Sequence, residues 1–325
     1  CTCHSQTVIF NYMKFNPYIK DSILISKIGL GAWQLGHDSG WKSMTKTEAV
    51  HLVHSALDVG VNFFDTAPNY GHGTGEERLG SALRKVDRST IVINTKFGHT
   101  HTGSLNYSAD HIRTSLEGSL KRLQVDYVDS LIIHNPPSAY LDGNKNDHYE
   151  ILEKLQHEGK IKAYGASLDT YADMKLLMDT TNSKVMETFF NIFHQDTRCG
   201  FAQAQKNEVG IIVKIPLDSG WLSGKYNAKS TFTDIRSRWS TKDIEIRAEL
   251  VTKVKTITGT EVNLAQMAIA FCLAYDAVAT VIPGNVDVNQ LSSNVKSTDI
   301  AITPSILEKL EHFYQSEIKE LNLPW

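Results

Sequence analysis

The chain has 325 residues, of which 41% are hydrophobic and 21% are charged, so wholesale disorder and a fibrous repeat are excluded. Its 33 Lys and Arg residues nearly balance its 36 Asp and Glu residues, and the formal charge of −3 gives no reason to expect a nucleic-acid or membrane partner. Because the apolar runs are too short to span a bilayer and no secretory signal pattern is found, we predict a cytoplasmic protein.

The N-terminal segment and the cysteines bear on domain organisation. The cysteines are Cys1, Cys3, Cys199 and Cys272. Their spacing matches no metal site, and a reducing compartment suits them better than a disulfide framework. We interpret Met13 as the native start, which makes residues 1–12 a leader or a cloning-derived segment. Residues 13–325 are then predicted to form a single domain.

Short apolar runs rich in β-branched residues alternate with longer amphipathic segments along the chain. The predicted strands are Lys27–Leu30, Asn62–Thr66, Thr90–Lys96, Tyr127–His134, Lys162–Ser167, Val185–Asn191, Gly210–Ile215 and Val278–Pro283. The predicted helices are Thr47–Leu57, Glu76–Arg84, Ser108–Leu123, Tyr149–Glu158, Tyr171–Met178, Asp243–Ile257 and Leu264–Ala274. Nearly continuous hydrophobic strands are typical of a parallel sheet that is buried on both faces. This alternation predicts an α/β fold, a single closed (β/α)8 TIM barrel.

Three local signals add detail to the barrel. Residues 13–27 are predicted to form a β-hairpin over its N-terminal end, with the turn near Lys20 and Ser22. Ser108 is predicted to be the N-cap of the helix that follows it. The stretch 216–241 has little periodicity, and a loop of this length is expected beside the site, at the C-terminal rim.

A doubly wound open sheet is the main alternative fold. It requires a G-x-G-x-x-G turn between an early strand and a helix, where backbone amides contact a pyrophosphate. The segment Gly29-Leu30-Gly31 lacks the third glycine and is followed by Trp33-Gln34-Leu35 rather than by a helix start. The barrel is therefore favoured.

Polar side chains end three successive predicted strands. Asp65, Lys96 and His134 close the second, third and fourth strands, and Tyr70 follows in the loop after Asp65. Since the carboxyl ends of barrel strands meet at one rim, these side chains are expected to lie together. A phenol has an ordinary pKa of about 10, and an ammonium group about 4 Å away favours the phenolate by roughly three pKa units. Tyr70 would then be a general acid, a role that suits hydride reduction of a carbonyl group.

Other interpretations of these residues remain open. Asp65 and Lys96 taken alone are equally consistent with a structural ion pair, and His134 taken alone with a buried core histidine. A metal site at His99 and His101, with His72 nearby, is disfavoured because the spacing lacks the i, i+4 pattern of a helical zinc site. No metal is therefore predicted. The convergence of four functional groups favours catalysis.

In its ordered motifs the chain resembles the aldo/keto reductase superfamily from about Gly29 to Asn294. The most specific stretch is Phe63-Phe64-Asp65-Thr66-Ala67-Pro68-Asn69-Tyr70-Gly71, followed by Gly75-Glu76-Glu77-Arg78-Leu79-Gly80. Further matches include Thr95-Lys96-Phe97-Gly98, Ile133-His134-Asn135-Pro136, Ala163-Tyr164-Gly165-Ala166-Ser167 and Ile282-Pro283-Gly284. The resemblance implies that Tyr70 donates the proton and that Lys96, paired with Asp65, lowers its pKa. It also implies that His134 orients the carbonyl.

The resemblance also implies a nicotinamide cofactor bound without a Rossmann fold. The matching positions are Gly31, Ser167, Glu187, Lys214, Pro216, Leu217, Ser219, Gly220, Lys225, Gly284, Gln290 and Asn294. Arg236 or Arg238 would reach the adenosine phosphates, although a solvated helix start between Arg236 and Arg247 is equally consistent with the sequence. NADP(H) is favoured by the family. NAD(H) is a contender, because no Lys or Arg lies near Gly284 for the 2′-phosphate.

The chain departs from the family at two of these positions and at Leu168. Leu168 replaces an asparagine that is common after the serine of the fifth strand, and Lys214 lies where many relatives have an aromatic residue or arginine. Glu187 replaces the glutamine that usually contacts the nicotinamide carboxamide. An ionised glutamate accepts a hydrogen bond from the amide NH₂ but cannot donate one to its oxygen.

Aromatic residues near the expected barrel mouth suggest a substrate pocket. Trp33 and Phe97 are the first candidates, and the others are Trp41, Trp221 and Trp239, although each is equally consistent with packing. The polar neighbours Gln34, His37, His99 and Asn135 suit a hydroxylated carbonyl substrate or sugar. The alternatives are a sugar or alcohol dehydrogenase working oxidatively, a cofactor-binding regulatory subunit with little turnover, and a non-redox barrel enzyme. The sequence does not indicate an oligomeric state.

Overall fold

A computed structural model describes residues 13–20, 22–36 and 43–324. An eight-stranded parallel sheet runs in sequence order around a barrel. Its strands are β3 (Leu30–Gly31), β4 (Phe63–Asp65), β5 (Val92–Phe97), β6 (Val128–His134), β7 (Ile161–Leu168), β8 (Val185–Phe189), β9 (Gly210–Lys214) and β10 (Val278–Ile282). Gly29 N donates to Val281 O at 2.9 Å, and Val281 N donates to Lys27 O at 3.0 Å, which brings the first and last strands together. The predicted (β/α)8 barrel is confirmed.

Helices surround the sheet. They are α1 (Lys46–Asp58), α2 (Thr74–Leu83), α3 (Ala109–Leu123), α4 (His148–His157), α5 (Tyr171–Thr180), α6 (Phe201–Lys206), α7 (Thr241–Thr258), α8 (Leu264–Leu273), α9 (Val288–Val295) and α10 (Pro304–Phe313). The sequence analysis did not predict α6, α9 or α10. Ser108 precedes α3 as expected, but its hydroxyl donates to Asn106 Oδ1 at 2.7 Å and does not cap the helix. Among the described residues, no helix is both long and apolar enough to cross a membrane.

The predicted N-terminal hairpin is present and closes one end of the barrel. Strands β1 (Phe15–Asn16) and β2 (Ile25–Ser26) pair antiparallel. Tyr18, Ile19 and Ile25 join the apolar cluster inside the barrel, where the ring of Tyr18 packs edge-on against Phe63 with centroids 5.3 Å apart. The hairpin therefore leaves the opposite, C-terminal rim for function. Residues 1–12 and the turn residue Asp21 lie outside the described residues.

The side chains of β5 alternate between the inside of the barrel and the surrounding helices. Successive residues of a strand point to opposite faces of the sheet. Asn94 and Lys96 contact Asp65 inside the barrel, whereas the hydroxyl of Thr95 donates to Glu76 Oε1 of α2 at 2.7 Å. The side chain of Phe97 therefore faces the helices. Its burial is complete within the core cluster between sheet and helices.

Gly165 is required where β7 meets β8. A Cβ at this position would lie 1.6 Å from the carbonyl oxygen of Val185. We expect Gly165→Ala to lower the free energy of unfolding by about 3 kcal/mol or more, since backbone in the middle of a barrel cannot shift cheaply. Gly31→Ala is a matched control, because its Cβ would come no closer than 3.8 Å to Ile282 O. If the two variants unfold at the same urea concentration, the prediction is wrong.

Candidate active site

The ends of β4 and β5 place a carboxylate, an ammonium group and a phenol together. Lys96 Nζ donates to both Asp65 oxygens at 2.7 Å and to Thr66 O at 3.1 Å. The same nitrogen lies 3.3 Å from the hydroxyl of Tyr70, in the loop between β4 and α2. Lys96 and Asp65 are buried, whereas Tyr70 is partly exposed. A phenol is thus held between a buried cation and solvent.

A hydrogen-bond chain behind Asp65 was not found by sequence reasoning. Asn94 Nδ2 donates to Asp65 Oδ2 at 2.7 Å, and Ser130 Oγ donates to Asn94 Oδ1 at 2.6 Å. Ser130 Oγ in turn lies 2.7 Å from the hydroxyl of Tyr18 in the hairpin. Because Ser130 uses its proton toward Asn94, Tyr18 must donate to Ser130. The chain orients Asp65 from the closed end of the barrel.

Burial and the charges around Lys96 together determine the ionisation of Tyr70. Although burial opposes a charged lysine, the carboxylates of Asp65 and Glu187 hold the pKa of Lys96 well above its usual value. Burial raises the pKa of Tyr70, and Lys96 only partly offsets this rise because Asp65 and Glu187 add to it. The sequence analysis expected a lowered phenol pKa. That expectation counted the ammonium group but omitted burial and a second carboxylate.

That second carboxylate is Glu187, the central residue of β8. Its Oε2 lies 3.0 Å from Lys96 Nζ, and its Oε1 accepts a hydrogen bond from Ser167 Oγ at 3.3 Å. Burial and the neighbouring Glu187 raise the pKa of Asp65 to about 7. Burial also disfavours ionised Glu187, but Lys96 and Lys214 outweigh it and lower the pKa of Glu187. Glu187 therefore contacts the lysine directly as well as a predicted cofactor residue.

His134 lies on the other side of Tyr70. The two rings are edge-to-face with centroids 6.0 Å apart, and His99 stacks on His134 at 4.2 Å. Burial and the positive charge of Lys96 hold the pKa of His134 well below its usual value, so the imidazole is neutral. Tyr107 supports both histidines, because its hydroxyl donates to His134 O at 2.8 Å and lies 2.8 Å from His99 Nε2. A neutral imidazole can donate one hydrogen bond to a carbonyl oxygen.

A polar cluster at the ends of β6, β7 and β9 contains two predicted cofactor residues. Lys214 Nζ donates to Ser167 Oγ at 2.9 Å and to Asn135 Oδ1 at 2.6 Å. It also lies 2.8 Å from Asp169 Oδ1. The sequence analysis placed Asn135 among the substrate residues and missed Asp169. Asn135 directly follows the end of a strand and has a left-handed φ of 43°, and both features are typical of a functional-site residue.

The loop after β9 has an unusual backbone. Ile215, Asp218 and Ser219 have positive φ values of 55°, 45° and 52°, and Gly220 follows with 97°. Such conformations cost of order 1–3 kcal/mol each for non-glycine residues and cluster at functional sites. Asp218 anchors this loop through Arg247, whose Nε lies 3.0 Å from Asp218 Oδ2, both side chains being fully buried. A solvated helix start is therefore the wrong interpretation for Arg247.

The remaining predicted cofactor residues lie on loops at the strand ends. Pro216 and Leu217 begin the loop after β9, and Leu217 O accepts from Gly220 N at 2.9 Å. Ser219 Oγ accepts from Arg238 Nη2 at 3.4 Å, and exposed Lys225 lies 5.8 Å from the ring centroid of Tyr226.

A second part of the predicted cofactor site follows β10. Asn294 Nδ2 donates to Asn285 Oδ1 at 2.8 Å, and Gln290 Oε1 accepts from Val286 N at 3.1 Å. Gly284 is exposed, while Gly31 at the end of β3 has no atom within 3.8 Å of where a Cβ would be.

Two aromatic candidates lie in different places. Trp33 is half-buried in the loop after β3, whereas the side chain of Phe97 packs in the core behind the sheet and does not reach the site. Trp221 and Trp239 are buried too, while Trp41 and His37 fall outside the described residues. Within the described ranges, no group of three or more His, Cys, Asp or Glu side chains is arranged to hold a metal ion.

Comparisons with known proteins agree with this architecture. The family model described as "Aldo/keto reductase family" matches residues 27–315. The chain is 30% identical to a probable voltage-gated potassium channel subunit beta of Arabidopsis thaliana, over 94% of this chain and 98% of that protein. It is 28% identical to L-galactose dehydrogenase of Arabidopsis thaliana, over 83% of each. The holo form of aldo-keto reductase AKR11C1 from Bacillus halodurans matches with a TM-score of 0.77 and 25% identity, covering 92% of this chain and 96% of that one. The chain belongs to the aldo/keto reductase family.

Proposed function

We propose that this protein is an NAD(P)(H)-dependent oxidoreductase that reduces a carbonyl group to an alcohol, with Tyr70 as the proton donor. Family membership supports oxidoreductase chemistry in general. The observation that carries the specific proposal is the buried ammonium of Lys96, which bridges Asp65 at 2.7 Å and the hydroxyl of Tyr70 at 3.3 Å. A phenol in this position can donate a proton to the oxygen of a bound carbonyl group.

The residues divide the reaction between them. Neutral His134 donates a hydrogen bond that orients the carbonyl oxygen toward Tyr70, whose hydroxyl then releases its proton to the developing alkoxide. Lys96 stabilises the phenolate that remains, and Asp65 with Asn94 keeps Lys96 in place. A reduced nicotinamide held by the predicted cofactor residues would supply the hydride for the carbonyl carbon. In the oxidative direction the phenolate of Tyr70 takes the proton back.

The chain's residues fit a dinucleotide cofactor. The left-handed backbone at Ile215, Asp218 and Ser219 is of the strained kind that clusters at functional sites, which supports a ligand contact along this loop. Gly31 has no side chain, which permits a cofactor to approach its backbone closely, and a Cβ there would lie 3.8 Å from Ile282 O. Ser167, Asn135 and Lys214 would hold the carboxamide end, and Arg238 beside Ser219 would contact the adenosine phosphates.

NADP(H) is the favoured cofactor, with NAD(H) as the alternative. Arg236 is already held by Asp234, to which its Nε donates at 2.9 Å, so Arg238 is the better candidate for a 2′-phosphate. One charge-assisted hydrogen bond is worth about tenfold in affinity or more. We propose a polar carbonyl compound or sugar as substrate, because His99 and Asn135 surround the site and L-galactose dehydrogenase is a relative. Cytoplasmic location remains a prediction.

Cofactor titration tests this proposal. We expect NADPH to quench the intrinsic fluorescence at concentrations about tenfold lower than NADH, and Arg238→Leu to remove that difference. The absorbance of the reduced nicotinamide should then fall when members of a panel of aldehydes, ketones and sugars are added. With the oxidised cofactor, alcohols or sugars should give the reverse reaction. Failure of both nucleotides to bind would favour a non-redox barrel enzyme and reject the proposal.

A cofactor-binding regulatory subunit is the second candidate. The observation that favours it is 30% identity to a probable potassium channel subunit beta over 94% of this chain. Such a subunit would bind the nucleotide but turn over slowly with every carbonyl in the panel. Tight binding with negligible steady-state turnover in either direction would therefore select the subunit over the enzyme.

A further inference from the structure

One buried ammonium group faces two carboxylates in this barrel. Lys96 Nζ lies 2.7 Å from Asp65 Oδ2 and 3.0 Å from Glu187 Oε2. The side chains of Lys96, Asp65 and Glu187 are 0%, 2% and 3% exposed, so water screens none of the three. If both carboxylates were ionised, one positive charge would oppose two negative charges. Burying such an excess charge is costly unless a proton or another cation neutralises it.

The nearest additional cation is already shared. Lys214 contributes to the ionisation of Glu187, but its Nζ lies 2.8 Å from Asp169 Oδ1 and donates to Asn135 and Ser167. Lys214 therefore balances a third carboxylate, and it leaves the negative charge around Lys96 only partly compensated. A proton is the simplest remaining counter-charge.

The closeness of the two carboxyl groups points the same way. Both lie within 3.0 Å of the same ammonium nitrogen, and two buried carboxyl groups that share one site disfavour double ionisation, because like charges repel. Asp65 also accepts from Asn94 Nδ2, which holds its carboxyl group in place. Carboxyl pairs of this kind titrate as a unit, and the proton belongs to the pair rather than to one residue.

We propose that Glu187 is a positioning residue that shares one proton with Asp65 across Lys96, and that this proton sets the charge beside the Tyr70 hydroxyl. The proposal rests on the proposed function. A glutamine at this position, as the family resemblance led us to expect, would leave one lysine with one carboxylate and no proton to share. The glutamate therefore adds an ionisation close to the proton donor.

Four other ionisable groups lie around the pair. They are Lys96, Lys214, Tyr70 and Tyr18, and His134 lies against Tyr70. Burial favours the neutral forms of Tyr18, Tyr70 and His134, whereas carboxylate neighbours keep Lys96 charged. Burial and Glu187 raise the pKa of Asp65 to about 7, so we expect the Asp65–Glu187 pair to be the group that changes its charge near neutral pH.

The effect on Tyr70 follows from Coulomb's law. When the pair loses its shared proton, an added negative charge within several ångströms makes the phenol a weaker acid. Carbonyl reduction should therefore slow by about tenfold as the pH rises through the ionisation of the pair, because proton donation responds to only part of the pKa change.

Glu187→Gln tests the proposal, with Glu245→Gln, an exposed residue of α7, as the matched control. The pH dependence of the thermal unfolding midpoint is the readout that does not require activity. A carboxyl pKa raised in the folded state contributes stability that is present at low pH and lost as the pH rises from about 4 to about 7. We expect this loss in the parent and in Glu245→Gln, and a flatter profile in Glu187→Gln. The pH–rate profile of Glu187→Gln should lose the corresponding decline.

Asp65→Asn provides a second measurement should Glu187→Gln not fold. It removes the other half of the pair, so its unfolding midpoint should show the same flattening. If the unfolding midpoints of both variants depend on pH as the parent's does, the proposal of a shared proton is wrong. If the parent reduces no carbonyl compound, the proposed function fails, while the stability profiles still decide for or against the proton-sharing pair.

Discussion

Tyr70→Phe should abolish most carbonyl reduction while leaving the protein folded and able to bind its cofactor. General acid catalysis contributes about 10²–10⁴-fold to rate, and no other hydroxyl is seen to contact Lys96 among the described residues. The loss should appear in the turnover number, since the ring that remains still fills its place. Initial rates of nicotinamide oxidation with the best substrate of the panel provide the measurement.

The matched control is Tyr127→Phe, which removes a hydroxyl at the opposite end of β6. It should retain the parent's rate. Fluorescence titration should give similar nucleotide affinities for both variants and the parent, which separates loss of the acid from loss of binding. A Tyr70→Phe protein as fast as a measurably active parent would show that another group donates the proton.

Lys96→Met is expected to affect both catalysis and stability. Loss of the ammonium group leaves Asp65 and Glu187 buried without their shared cation, and breaking a buried ion pair costs about 3–5 kcal/mol. The two carboxyl groups should then take up protons, because burial and mutual repulsion raise both pKa values. The free energy of unfolding should therefore fall further as the pH rises above about 4, where unfolded carboxyl groups ionise.

Turnover of Lys96→Met should fall by at least about 10²-fold, because the phenolate of Tyr70 loses its stabilising charge. Urea unfolding at about pH 5 and about pH 8 measures the stability effect, with exposed Lys229→Met as the control. If Lys96→Met has the same free energy of unfolding as the control at both pH values, Lys96 does not stabilise the two buried carboxyl groups as we expect. An unchanged pH–rate profile would contradict the role of Lys96 toward Tyr70.

Local sequence patterns correctly predicted those features of the site that depend on a single strand or helix. Buried strands with polar ends predicted that Asp65, Lys96 and His134 would meet at one rim, and the structure brings them together around Tyr70. Strand alternation alone could also have excluded Phe97 from the pocket, since Lys96 points inward. Ser108 was a reasonable N-cap, but its hydroxyl prefers Asn106, a competition that residue type does not reveal.

Contacts across the barrel were beyond the reach of sequence reasoning. Glu187 was identified by its position in a family motif, yet its approach to Lys96 depends on how the barrel curves between β5 and β8, which are three strands apart in the sheet. The direction of the pKa change at Tyr70 likewise depends on burial and on the sum of several charges. Similarly, the buried pair of Asp218 and Arg247 joins a loop to a helix that the sequence separates.

By itself the sequence determined the order of the barrel strands, the barrel, and the identity of the rim residues, because hydrophobic period and strand ends are local properties. Only the tertiary structure decided how the charges around Lys96 balance and which backbone turns are left-handed. It also decided which aromatic side chains lie in the core. Coulomb energy and desolvation depend on distances through space between residues far apart in the chain, and no local pattern records those distances.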